Sequence, residues 1–82
     1  MYISYEPLWH LLLERKMKKK DLRKATVIST AALAKLGKNK NINTDTLLKI
    51  CEGLNCDISD ILRLEEGVNP YEIYENKENA VK

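Results

Sequence analysis

Residues 17–40, MKKKDLRKATVISTAALAKLGKNK, hold two short helical patterns separated by Thr26-Val27-Ile28-Ser29. The first pattern, about residues 19–25, turns Leu22 inward. Ser29 suits the N-cap of the second, and Ile28 ahead of it can staple against Leu33. Leu33 and Leu36 then face inward, leaving Thr30, Ala31, Ala34 and Lys35 outward on a smooth face with one long cation. Gly37 is expected to close this helix as its C-cap. Isolated helices shorter than about 12–15 residues are marginal in water, so both need a clamp. The apolar segments 8–13 and 47–62 are placed to supply it.

Charge is segregated along the chain. Residues 15–40 carry ten Lys and Arg against the single acid Asp21, while residues 41–82 carry four bases against nine acids. The net charge of +2 hides a cationic side suited to a polyanion and an acidic remainder. The lysines Lys18, Lys19 and Lys20 crowd the N-terminus of the first pattern, against the helix dipole, with only Asp21 to compensate. An external anion would relieve that repulsion.

Working outward, residues 1–5 read as extended. Ser4 can cap a first helix and Pro7 fits its first turn. Leu8, Leu11, Leu12 and Arg15 form its core stripe, with Trp9 and Leu13 on a neighbouring face that needs a cover. Lys38-Asn39-Lys40-Asn41 is a basic loop. Asn43 caps a fourth helix with Leu47, Ile50, Cys51 and Leu54 inward, ended by Gly53-Leu54-Asn55. Asp57 caps a fifth over residues 58–63, with Ile58, Ile61 and Leu62 inward. Beyond Glu66 the composition turns acidic, and Tyr71 and Tyr74 can dock near Trp9. The expected division is a helical domain over residues 1–64 and an acidic tail over 65–82.

With 82 residues and 44% apolar content, the chain is one small domain. It has no apolar run near the roughly 18 residues of a membrane span and no export signal at its start, so a cytoplasmic protein without membrane attachment is expected. Cys51 and Cys56 then read as reduced, buried small hydrophobes. With only His10 to add, a zinc site lacks ligands, and no cofactor is expected. Catalysis is not expected either. His10 has only Glu6 and Glu14 at helical spacing, and no Gly-rich phosphate loop exists.

The pattern of Leu22, Ile28-Ser29, Leu33 and Leu36, followed by NTDTLLKICEGLNCDISDIL, resembles the Cro and phage-repressor (Xre-like) helix-turn-helix family. The opening ISYEPLW…LLLERKMKK is similar to a small bacterial subgroup of it. The resemblance covers about residues 4–62 and implies an all-α, lambda-repressor-like domain of five short helices. Three positions depart from the family pattern. Val27 stands where glycine is common in the turn, Arg23 where a small residue packs, and Lys18-Lys19 where Thr-Gln is usual. A β-branched residue at positive φ is an outlier, so this turn either takes another backbone conformation or carries strain.

The resemblance further implies double-stranded DNA as partner, with the third helix in the major groove. Thr30, Ala31, Ala34 and Lys35 are the base-facing candidates; Lys18, Lys19, Lys20, Ser29, Lys38, Asn39 and Lys40 are the phosphate-facing ones. It suggests a small transcriptional regulator, a repressor rather than an activator, acting as a homodimer through Trp9, Leu13, Ile61, Tyr71 or Tyr74. The alternative is an antitoxin-like interaction module whose acidic tail engages another protein.

Overall fold

The computed structural model describes residues 1–72. The elements are β1 (Tyr2–Ser4), α1 (Glu6–Glu14), α2 (Lys19–Thr26), α3 (Thr30–Gly37), α4 (Thr44–Leu54), a 3₁₀ turn (Ile58–Asp60) and β2 (Arg63–Glu65). The core is Tyr5, Leu8, Leu12, Leu22, Ile28, Leu36, Ile50, Leu54 and Ile61: one or two residues from each α-helix, with Tyr5, Ile28 and Ile61 from the segments beside them. Tyr5 is the member that periodicity misses. Its phenol donates to the Lys40 carbonyl at 2.8 Å, so its ring can be buried with the hydroxyl satisfied. Burial raises its pKa, partly offset by a backbone hydrogen bond at Ile42.

Two expectations change at the end of the domain. The fifth helix is a single 3₁₀ turn, opened by a reciprocal pair of bonds between Asp57 and Asp60. Asp57 Oδ1 accepts from the Ile58 N–H at 2.7 Å, and Asp60 Oδ2 accepts from the Asp57 N–H at 3.0 Å. The chain then leaves as β2 and pairs antiparallel with β1, Tyr2 opposite Glu65 and Ser4 opposite Arg63. Ile58, expected inside, is 46% exposed. Folded structure continues past residue 64. Asn69, 3% exposed, donates through Nδ2 to the Lys38 and Asn39 carbonyls at 3.2 Å each. Its own carbonyl accepts from Glu72 N–H at 3.0 Å, starting a helical turn at residues 70–72.

Four helix ends close on a left-handed residue, and none of the four is glycine: Lys16, Val27, Asn39 and Asn55, with φ between 52° and 56°. Behind Lys16, Asn39 and Asn55 the chain makes the paired bonds of a Schellman turn. The long ones run from Met17 N–H to Leu12 O at 2.8 Å, Lys40 to Lys35 at 2.9 Å and Cys56 to Cys51 at 3.0 Å. Gly37 therefore does not cap α3; it is the last helical residue, and Asn39 makes the turn. Val27 does take the left-handed conformation, with its side chain 79% exposed, which resolves the open question at this turn in favour of strain.

Gly53 is the last residue but one of α4, which ends within Gly53-Leu54-Asn55 as expected. A Cβ there would meet the Ala25 carbonyl oxygen at 2.4 Å and Thr26 Cα at 2.9 Å. Its missing side chain is what lets α4 lie against the end of α2. Thr26 is itself buried, its hydroxyl turned back to the Leu22 carbonyl at 2.6 Å.

Three substitutions separate these roles in urea or thermal unfolding. Val27→Gly is expected to stabilise the fold by about 1 kcal/mol, the relief of a left-handed L-residue less the entropy of a freer unfolded chain. Gly37→Ala, whose new Cβ meets nothing within 4 Å, should stabilise by roughly 0.5–1 kcal/mol. Gly53→Ala should destabilise by about 1–3 kcal/mol despite alanine's better helix propensity. If Gly53→Ala proves neutral, the close α2–α4 approach is wrong.

Candidate nucleic-acid interface

α3 buries Leu36, half-buries Ala32 and Leu33, and leaves Thr30, Ala31, Ala34 and Lys35 exposed. All four base-facing candidates thus share the outer side of one eight-residue helix. Three of them are small, so the helix surface is smooth around a single projecting ammonium. Ser29 caps this helix, its Oγ accepting from Ala32 N–H at 3.0 Å. A hydroxyl that accepts in this way still has a proton to donate outward.

α2 begins differently. Its N-cap is Lys18, which has no side-chain acceptor, so no side chain satisfies the N–H groups of the first turn. The one local compensation is Asp21, whose carboxylate accepts from Lys18 N–H at 2.8 Å. Lys18, Lys19 and Lys20 are all exposed there. The ammonium of Lys19 lies over the Trp9 ring, 4.9 Å from its centroid.

Two adjoining hollows bring the cationic groups together. One, of about 470 Å³, is lined by Lys35, Lys38, Asn39 and Lys40 with Tyr2 and Tyr71. The other is lined by Lys18, Lys19 and Gly37 with Trp9 and Tyr71. Tyr71 borders both, so the lysines opening α2 and those trailing α3 surround the same end of α3. Asn39 differs from the other phosphate-facing candidates. It is half-buried, and its Oδ1 accepts from Tyr5 N–H at 3.1 Å, so it shapes the loop carrying Lys38 and Lys40. Tyr2 and Asn69 were not singled out from sequence. Tyr2 reaches the site through β1, and Asn69 ties residues 70–72 to the same loop. Asn-Pro ahead of an acidic turn is a helix-start signal that could have flagged Asn69.

The groups offered for a subunit contact divide. Leu13 is 78% exposed, Tyr71 43% exposed and Trp9 half-buried. Ile61 is wholly buried in the core and presents no surface to a partner, because the 3₁₀ turn packs it inward. Tyr74 lies outside the described residues. A separate apolar hollow, of about 400 Å³, is lined by Leu47, Leu48, Cys51, Cys56 and Ile58. Burial pushes both thiols there above their ordinary pKa, so they are protonated at neutral pH. Among the described residues no group of three or more His, Cys, Asp or Glu is placed to hold a metal ion. No described helix is long and apolar enough to cross a membrane.

Comparison with known proteins adds three findings. The family model for the Cro/C1-type HTH DNA-binding domain matches residues 7–67. A crystal structure of the transcriptional regulator VanUg is similar at 52% identity, with a TM-score of 0.74, over 79% of this chain and 88% of that one. No curated protein matches the chain. The matched segment runs from the first turn of α1 to just beyond β2, enclosing the whole helix-turn-helix. The chain belongs to the Cro/C1-type helix-turn-helix DNA-binding family.

Proposed function

We propose that this protein is a small transcriptional regulator, a repressor, that binds double-stranded DNA with some sequence preference. The observation that carries the reading is the exposed, smooth outer face of α3 with lysines on both sides of its end. Family membership and the likeness to a transcriptional regulator support it. α3 enters the major groove, where Lys35 donates to guanine O6 or N7 and Thr30 offers a hydroxyl or a methyl group. Ala31 and Ala34 permit close approach. Lys18, Lys19, Lys20, Ser29, Lys38 and Lys40 serve the phosphates, and Asn39 holds the loop that carries two of them. With so few base-reading side chains, DNA shape shares the discrimination.

One domain covers a short footprint, so the protein acts as a homodimer on half-sites about 34 Å apart. A two-fold contact sets each patch against its own copy. The Trp9–Leu13–Tyr71 patch is rimmed by Lys18 and Lys19, whose charges such a contact would oppose. The Leu48–Ile58 hollow has no lysine and a single charged residue, Asp57, in its lining. The dimer therefore forms through Leu48 and Ile58. The acidic residues after Glu65 provide a second reading, as a segment for a protein partner, compatible with DNA binding.

Selection from a random duplex library supplies the preferred site for the tests. Lys35→Ala is expected to cost about 1–3 kcal/mol on that site and blur it at one position. Lys20→Ala should weaken binding to all sequences alike and lower the log–log salt slope by about 0.9. Unchanged mobility shifts for both variants would defeat the docking. In sedimentation experiments Leu48→Glu should yield monomers while Leu13→Glu leaves dimers; the reverse pattern would move the contact to α1.

A further inference from the structure

The contact between Trp9 and Lys19 joins two residues that the sequence assigns to different tasks, one to a subunit contact and one to a phosphate. Trp9, the chain's single tryptophan, is half-buried on α1 and packs against the core, so its ring is a fixed platform. Lys19 is the first residue of α2 and its side chain is exposed, so nothing in its own helix fixes the ammonium. At 4.9 Å from the ring centroid, the ammonium is within the roughly 6 Å over which an aromatic face attracts a cation. The face engages one side of the –NH₃⁺ group. Its three N–H donors fan out from the charge, and those turned away from the ring stay available to an oxygen acceptor.

The same position gathers positive potential from two sources, Lys18 and Lys20 on either side and the N-terminal pole of α2 with its first-turn N–H groups that no side chain caps, against the one carboxylate of Asp21. A phosphate oxygen is the acceptor that would satisfy them together. A freely rotating lysine loses rotamer entropy when it takes a phosphate, and one already held over a ring loses less.

We propose that Trp9 is a positioning residue for DNA binding, holding Lys19 over the N-terminus of α2 so that its ammonium meets a backbone phosphate already ordered. This rests on the DNA-binding reading above. It also places Trp9 on the DNA-facing side rather than at a subunit contact.

The experiment is a double-mutant cycle on the selected duplex with Trp9→Leu, Lys19→Ala and the pair, read as affinity across a salt series. Each single variant should lose about three- to ten-fold in affinity, and the pair should lose little more than either alone. Lys19→Ala should lower the salt slope by about 0.9, whereas Trp9→Leu, which leaves the charge in place, should lower affinity with little change of slope. Trp9→Phe, which keeps an aromatic face, should recover part of the loss. A direct reading needs no DNA: the Lys19 side-chain methylene resonances should be shifted upfield by the ring in the wild type and return to ordinary positions in Trp9→Leu. Circular dichroism with thermal melting identifies a variant that fails to fold; the resonances then test the contact in the wild type alone. Independent losses in the cycle, or unshifted Lys19 resonances in the wild type, would overturn the proposal. A wild-type chain that binds no duplex while its Lys19 resonances are shifted would instead reject the DNA reading, and this role with it.

Discussion

Where α4 crosses the end of α2, backbone meets backbone. Gly53 brings its own Cα close enough to Ala25 and Thr26 that a single added carbon would lie 2.4 Å from a carbonyl oxygen. α2 and α3 are eight residues each, too short to hold a mutual angle through their own hydrogen bonds. Their orientation depends on what they rest upon. Leu22, Ile28 and Leu36 sink into the core beside Ile50 and Leu54 of α4, and Gly53 sets how deeply α2 can settle. The outward aim of Thr30 and Lys35 is thus fixed from behind, by residues on the opposite side of α3.

That contact also shows how sequence and structure part company. Glycine near the end of a helical pattern ordinarily marks the C-cap, because no Cβ hinders the left-handed turn. By that rule Gly37 ends α3. In the structure it is the last helical residue and the turn falls two residues later, on Asn39, whereas α4 turns on Asn55, within the expected Gly53-Leu54-Asn55. Asparagine tolerates that conformation better than most residues. Asn39 is further held there by the bond from Tyr5 N–H, a partner 34 positions away. Local signals cannot reveal a partner at that separation. The same holds for β2: Arg63, Leu64 and Glu65 alternate, but three residues are too few to mark a strand, and they become one only because β1 offers an edge.

Other features were legible because their cause is local. Ser29 and Asn43 cap the helices they precede, each accepting from the N–H three residues on. The inward leucines and isoleucines of α1, α3 and α4 follow the 3.6-residue period, which depends only on one side of a helix avoiding water. The candidate site was legible to the same degree. Exposure of Thr30, Ala31, Ala34 and Lys35 follows once Leu33 and Leu36 face inward. What brings Tyr2 and Tyr71 beside Lys35 does not, because it requires strand pairing at one terminus and the buried Asn69 at the other.

The helix starts carry a further argument. α3 and α4 begin with a side chain that accepts from the first turn, and α4 adds Asp45 in its first turn. α2 begins with lysine, has only Asp21 to accept from the Lys18 N–H, and adds two more lysines at its positive pole. Each cation so placed costs roughly 0.3–1 kcal/mol when its charge is not answered. Val27, at the other end of the same helix, holds a conformation that disfavours it. α2 is therefore an element in which local preference and global fold disagree at both ends. Such disagreement is expected where a sequence answers to something besides its own stability. At the start of α2, the charge that is missing is negative.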